Sequence, residues 1–455
     1  MIPRFASRLW WRRYLARNAR PCDELEQFPQ LSPGRQRRRL AELLRDQLRY
    51  FGAQEFALPE WREAARITDP DELWRVWPSL PVVDKKLLQG RFSPYAIRHK
   101  VPLEGVIDST GGSTGEPTHF FHDTLMRRTN LALGIYTRCR MGWELGMAAI
   151  CVWGSERDIG KEVHWKNRLN GWLLNDFMVD GYHLSQATVD RVLDLIRRCR
   201  PAALFGFTSM LEFVARRVLE SGRQPQPGAV AAAWNGGEML FPEQSEVFQR
   251  AFGVPLLNRY GGRELSDVAC QFEPRGPLHV MRPWAFLEVV DESGKPVGAG
   301  RTGRLLWTST VCRGTPFLRY DVGDLGVFDP GHQNESGVWA LREIQGRVAS
   351  LLRLPDGREI NNIYWNHLFK EFQEVRQFQV VLRRNETIRI LLVGDSPARL
   401  CEGALHGKLR HLLGTLPVEL RWVDRITPTA QGKRIQVTRE TDPPLPVPSP
   451  GELDA

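Results

Sequence analysis

Apolar positions along the chain recur at two spacings, and the changes between them mark out its elements. In RQRRRLAELLRDQLRYF (residues 35–51), Leu40, Leu43, Leu44, Leu48 and Phe51 fall near the helical period. The first 65 residues therefore read as a basic helical extension. DPDELWRVWPSLPVVDKKLLQGRF (69–92) is a helical connector interrupted by prolines. A further helix is predicted over about 123–142. MAAICVWG (147–154) is a continuous apolar run of strand length, as is AALFGF (202–207). Between them, TVDRVLDLIRRCR places Val189, Val192, Leu193 and Ile196 on one helical face. Thr208 or Ser209 is the expected cap of the helix MLEFVARRVLESG, which ends on Gly222. AVAAAWNGGEML and PLLNRYGGREL continue as strand-to-loop units. Strands alternating with helices predict an α/β sheet.

From about residue 278 the pattern turns β-rich. AFLEVVDESGKPVGAGRTGRLLWTST reads as two strands about glycine turns, and GVWALREIQGRVASLLRL continues the run. NNIYWNHLFKEFQ, RQFQVVLRR, TIRILLVG, a helix near 397–413 and VELRWVD then form a compact α+β group. The fold class expected is α/β: a large N-terminal domain of mixed sheets over 1–345 and a small mobile α+β domain over 346–440. The cut falls near Gly346. Residues 441–455, PPLPVPSP among them, are expected to be a disordered tail.

A chain of 455 residues exceeds one ordinary core, consistent with two domains. The net charge of +9 raises the prospect of nucleic acid, membrane or anionic substrates. Much of the excess is local, because residues 1–20 hold six arginines and no acid, together with Trp10, Trp11, Tyr14 and Leu15. This stretch reads either as a solvated helix packed on the body by its aromatics, which we favour, or as a basic amphipathic helix making weak contact with a membrane surface. No zinc knuckle, RNA-binding signature or helix-turn-helix spelling points to nucleic acid. The seven cysteines are scattered and contain no C-x-x-C. With no secretory h-region and no apolar run of membrane-spanning length, the expected compartment is the cytoplasm.

The segment DSTGGSTGEPTHF (108–120) carries the clearest candidate chemistry. Gly111 to Gly115 spell G-x-S-x-G, the nucleophile elbow of serine hydrolases, which needs a helix directly after it. THFFH reads instead as a returning strand, and a hairpin loop rich in Gly, Ser and Thr offers N–H and O–H donors to phosphate. It lacks the lysine of a Walker A loop. Taken alone, the loop is compatible with a nucleophile, a phosphate grip or a polar turn. His119, His122 and His164 show no spacing that marks the base of a triad.

Five further segments follow in order: NGGEML (235–240), RYGGRELSD (259–267), RYDVGDLG (319–326), QGRVAS (345–350) and PTAQGKRIQ (428–436). With the loop, this series resembles the adenylate-forming superfamily, in particular its phenylacetate–CoA ligase and CapK-like branch. The likeness covers about Pro81 to Val437. The resemblance implies activation of a carboxylic acid by ATP to an acyl-adenylate, then transfer, with CoA the expected acceptor and an amine or hydroxyl the alternative. A serine hydrolase using Ser113 is the remote rival. The resemblance gives Thr110, Gly111, Gly112, Ser113, Thr114 and Gly115 the β- and γ-phosphates. It places adenine at Gly237 and Glu238, against Tyr260 and Gly261. Asp324 would accept the ribose hydroxyls, and Arg347 would sit by ribose or phosphate. Glu264 would hold Mg²⁺, a hard cation that takes oxygen ligands. Lys433 would be the catalytic residue, stabilising charge at the bond between carboxylate and α-phosphate. The branch implies an aryl or arylacetic acid as substrate; a monomer or homodimer is expected. Three departures stand out: Glu116 where many relatives carry Lys, Val348-Ala349-Ser350 where an acidic hinge residue is common, and RLPDGREINN in place of the loop lining the thiol tunnel.

Overall fold

The structure is a computed structural model, and it describes residues 3–18, 22–110, 118–153, 171–181, 184–298, 300–334, 337–347, 352–355, 359–360, 365, 368–369, 372, 374–394, 402–427 and 435–440. It divides into two compact units, one running from Met1 to Ile344 and the other beginning at Gln345.

The first unit opens with helix α1 (Arg4–Asn18) and helix α2 (Pro33–Gly52). On α2, Leu40, Leu44, Leu48 and Phe51 are buried as their spacing predicts, whereas Leu43 is only partly covered. Each such leucine removed from water contributes roughly 1.5–3 kcal/mol. Strands β1 (Gly105–Ser109) and β2 (His119–Asp123) pair antiparallel, Ser109 opposite His119. Asp123 then caps helix α3 (Thr124–Arg140) by accepting from Met126 N at 2.8 Å. The same carboxylate accepts from the backbone N–H groups of Arg313 and Gly314 at 2.7 and 2.9 Å. One acid thus fixes a helix start and a distant loop.

A four-stranded parallel sheet follows, built from β3 (Ala148–Trp153), β4 (Asp176–Asp180), β5 (Ala202–Gly206) and β6 (Val230–Asn235) in the order β4-β3-β5-β6. Its helices are α4 (Gln186–Cys199), α5 (Thr208–Glu220) and α6 (Pro242–Phe252). β3 and β5 are nearly all buried and read as unbroken apolar runs, as parallel strands covered on both faces do. On α4, Val189, Val192 and Ile196 are buried with Leu195, while Leu193 is only partly covered. The expected local cap of α5 is absent. Phe207 occupies the cap position, and the orphan Ser209 N–H donates to the Glu238 carboxylate at 2.8 Å. The acid beyond β6 does what a neighbouring Ser or Thr was expected to do.

A nine-stranded sheet completes the unit. Its members are β7 (Arg259–Gly262), β8 (Ser266–Gln271), β9 (Leu278–Val280), β10 (Ala285–Val290), β11 (Gly303–Ser309), β12 (Tyr320–Phe328), β13 (Gln333–Asn334), β14 (Gly337–Val338) and β15 (Ala340–Arg347). Every register recorded between them is antiparallel. Its largest buried side chains include Trp307 and Tyr320. Cys151, Cys270 and Cys312 are buried.

The second unit contains a hairpin of β16 (Leu352–Arg353) and β17 (Glu359–Ile360). Its main sheet is formed by β18 (Gln377–Leu382), β19 (Ile388–Val393), β20 (Val418–Trp422) and β21 (Val437–Arg439), in the order β20-β19-β18-β21. Helix α7 (Glu402–Leu413) packs Leu405, Leu409 and Leu413 into one core with Val380, Ile390, Leu392 and Val437.

Candidate active site

Three segments reach the C-terminal edge of the parallel sheet: Trp153 ends β3, Phe207 follows β5, and Gly236 to Glu238 follow β6. In open α/β sheets this is the edge at which ligands bind. Asn235, fully buried at the end of β6, ties the region together. Its Nδ2 donates to Thr208 Oγ1 and to the Glu238 carbonyl, both at 2.9 Å. Its Oδ1 accepts from Arg259 N at 2.9 Å. The β6 turn, the start of α5 and the start of β7 therefore share one amide.

Gly237 has φ of 72°, and a Cβ there would stand 2.5 Å from Phe207 Cε1. Only glycine meets both conditions without strain. Phe207 stacks on Trp153 with ring centres 4.1 Å apart and planes 19° from parallel. This aromatic wall stands beside Gly236, where a Cβ would lie 3.7 Å from the Trp153 ring. Glu238 turns its carboxylate to Ser209, accepting from both N and Oγ. Its side chain is thereby used to hold the turn after β6.

Tyr260 and Gly261 lie on β7, at a register shift against β8. The Tyr260 hydroxyl donates to Asp324 Oδ2 at 2.8 Å, and its ring meets Trp307 edge-on at 5.3 Å. Two residues 64 apart in sequence, both expected at the nucleotide, are thus in direct contact. Glu264 sits in the turn after β7 and is 5% exposed. The Tyr320 hydroxyl donates to its Oε1 at 3.4 Å. β12 therefore presents Tyr320 to Glu264 and Asp324 to Tyr260. His122 Nε2 donates to the Glu264 carbonyl at 2.7 Å, and burial lowers the His122 pKa, favouring the neutral imidazole with its proton on Nε2. His122 is a support for the glutamate turn, in keeping with its lack of a triad partner in the sequence.

Thr110 closes the base of the hairpin: its N–H donates to the Thr118 carbonyl at 2.9 Å, and its Oγ1 accepts from Thr118 N at 3.0 Å. Arg263, beside Glu264, reaches Asp108 at 3.8 Å. The hairpin therefore rises next to the glutamate turn. The chain after the loop enters β2 at His119, so the helix that a nucleophile elbow requires is replaced by a strand. Gly111, Gly112, Ser113, Thr114 and Gly115 lie outside the described residues, as does Lys433. Arg347 is the last residue of β15, and only its backbone is described.

Behind the site lies a group the sequence did not single out. Arg319, 1% exposed, has φ of 49° and directs its guanidinium into the core. Nε donates to both Glu288 oxygens at 3.2 Å. Nη1 donates to the carbonyls of Pro78, at 2.9 Å, and Leu80, and Nη2 to that of Gly294. Trp77 Nε1 donates to Glu288 at 3.0 Å. The backbone on either side of Tyr320 is clamped to Val83, with Val83 N to Arg319 O at 3.1 Å and Asp321 N to Val83 O at 2.9 Å. Arg259 is a second such residue. Its Nε donates to buried Asp267, which also accepts from Thr137 Oγ1. Its Nη1 lies 3.9 Å from where a Cβ on Gly236 would stand. Asn235, Arg259 and Arg319 each carry one sequence signal: a polar residue at the end of an apolar strand, or an arginine directly before a motif tyrosine.

Among the described residues no three His, Cys, Asp or Glu side chains gather as a metal site. A magnesium ion at Glu264 would take one carboxylate from the protein and the rest of its oxygens from phosphate and water, an arrangement usual for Mg²⁺ on nucleotides.

The chain has the fold of the adenylate-forming superfamily. It is similar to a 2-hydroxyisobutyryl-CoA ligase solved in the postadenylation state with R3-HIB-AMP, with a TM-score of 0.68, 17% identity and 90% of each chain covered. It is also similar to ATP-bound MatB from Rhodopseudomonas palustris, with a TM-score of 0.53 and 19% identity over 72% of this chain and 66% of that one. Among curated proteins, it is 26% identical over 337 residues to Protein CapK of Staphylococcus aureus, spanning 71% of this chain and 72% of CapK. It is 23% identical over 266 residues to the phenylacetate-coenzyme A ligase of Thermus thermophilus, spanning 54% of this chain and 55% of that enzyme. No family model matches the chain.

Proposed function

We propose that the protein is an AMP-forming acid–CoA ligase acting on an aryl or arylacetic acid. The observation that carries this reading is the meeting of Tyr260 with Asp324, and of Tyr320 with Glu264, at the base of a Gly/Ser/Thr hairpin within the adenylate-forming fold.

In the first step a carboxylate oxygen of the acid attacks the α-phosphorus of ATP. The bond from that phosphorus to the bridging oxygen breaks, and pyrophosphate leaves. Asp324 accepts from ribose hydroxyls with the oxygen capacity its bond to Tyr260 leaves over. The turn held by buried Asn235 receives adenine against backbone. The loop 111–115 would donate to the terminal phosphates, and Glu264 would hold Mg²⁺, which would offset charge on the triphosphate. Lys433 stabilises charge at the reacting phosphate. In the second step the CoA sulfur attacks the acyl carbon, and AMP leaves. Support for an aromatic acid comes from the similarity to the phenylacetate-coenzyme A ligase of Thermus thermophilus and from the partly exposed Trp153 ring beside Gly236, which buried Phe207 backs by stacking. Arg259 Nη1 supplies a cationic edge there for the carboxylate.

A panel of acids in an ATP–pyrophosphate exchange assay tests the reading. Arylacetic and benzoic acids should support exchange above short aliphatic acids, and thioester should form when CoA is added. Exchange driven only by short or dicarboxylic acids would remove the aromatic assignment.

A further inference from the structure

Helix α1 is held to the body along one side and bare along the other. On the inner side Ser7 is fully buried and Trp11 is 4% exposed. Trp11 Nε1 donates to Leu174 O at 2.8 Å, and its ring meets Trp143 edge-on at 5.4 Å. The helix also lies close on Gly146, where a Cβ would stand 2.5 Å from Arg4 O. Packing this close fixes which side faces outward. That side carries Phe5 at 81% exposure and Leu9 at 44%, while Trp10, 43% exposed, lies on the flank of the helix beyond Arg13. Phe5 and Leu9 are one turn apart and form a ridge. Arg12 and Arg13 flank it, and Arg8, Arg12, Arg13 and Arg17 are exposed, while Arg4 is paired with Glu144 of the body at 2.6 Å. The helix contains no acid.

We infer that α1 is a docking surface for an anionic lipid bilayer, with Phe5, Leu9 and Trp10 entering the headgroup boundary and the arginines meeting lipid phosphates. An apolar ridge bordered by arginines, with an indole at its edge, is what an interfacial helix presents to a bilayer. A second copy of the chain is a poor occupant, because a two-fold contact would set two acid-free basic helices against each other. Nucleic acid would satisfy the arginines and leave Phe5 and Leu9 without apolar surroundings. This inference does not rest on the proposed reaction.

The test uses the full chain and sedimentation with vesicles. Vesicles of equal parts phosphatidylcholine and phosphatidylglycerol should carry the protein down, phosphatidylcholine alone should not, and high salt should release it. The double variant Phe5→Ala/Trp10→Ala and the double variant Arg12→Glu/Arg13→Glu should each weaken vesicle binding by about tenfold or more. Arg12→Lys/Arg13→Lys should retain it, and all three should melt like the parent. Equal recovery with both vesicle types, no recovery with either, or undiminished binding by Phe5→Ala/Trp10→Ala would overturn the inference. A dimer in light scattering that becomes a monomer in Phe5→Ala/Trp10→Ala would overturn it in favour of a second copy.

Discussion

Asp324 and Tyr260 share a hydrogen bond, so a change at either reports on the other. Asp324→Asn keeps an acceptor for the tyrosine hydroxyl and removes the charge that would bind a diol. It should raise the KM for ATP by about tenfold or more, the scale of a lost charged hydrogen bond, with little change in melting temperature. Initial rates against ATP concentration check this. Arg319 differs in kind. It touches no expected substrate atom, yet it carries the backbone leading to Tyr320 and neutralises buried Glu288. Arg319→Met strands that carboxylate and should cost about 3–5 kcal/mol of stability, read as a fall in denaturation midpoint. At this scale the order of the motifs singled out Glu264, Tyr260 and Asp324 as candidates. It could not show Asn235 as a hub, because a buried amide is defined by partners at Thr208, Glu238 and Arg259, which only the fold brings together.

The turn after β6 illustrates what periodicity reads and what it misses. The strand itself is plain from its apolar run, and Gly237 follows as the motif predicts. The capping of α5 by Glu238 is not local, so no cap rule based on neighbouring residues finds it. Gly237→Ala would place a side chain at positive φ and against Phe207. It should lower stability by about 1 kcal/mol or more and weaken nucleotide binding, since Phe207 and the turn must both shift. Calorimetric titration with ATP, alongside a thermal melt, separates the two effects. The hairpin of β1 and β2 was legible for a simple reason: THFFH is rich in aromatic, strand-favouring residues, and the residues after Gly115 offer no helical face. The face of α4 was nearly legible. Leu195, not Leu193, completes it, because the buried stripe of Thr188, Val189, Val192, Leu195 and Ile196 is centred near Val192 and leaves Leu193 off its edge.

At the scale of the whole molecule, the large unit carries the parallel and antiparallel sheets expected of it, and the chain divides between Ile344 and Gln345. No described helix is long and apolar enough to cross a membrane, so the bilayer contact inferred for α1 is one of surface. The glycine loop and Lys433 are proposals carried by motif order, and the acid substrate is one carried by likeness to the phenylacetate branch. All three meet in one assay, the acid-dependent exchange of labelled pyrophosphate into ATP, run with the full chain and with Lys433→Ala. Exchange should require both Mg²⁺ and an aryl acid. It should fall by about a hundredfold or more in the variant, as for removal of a group that stabilises transition-state charge. Exchange that is undiminished in Lys433→Ala, or its absence across a broad panel of acids, would contradict an adenylate-forming ligase built on this site.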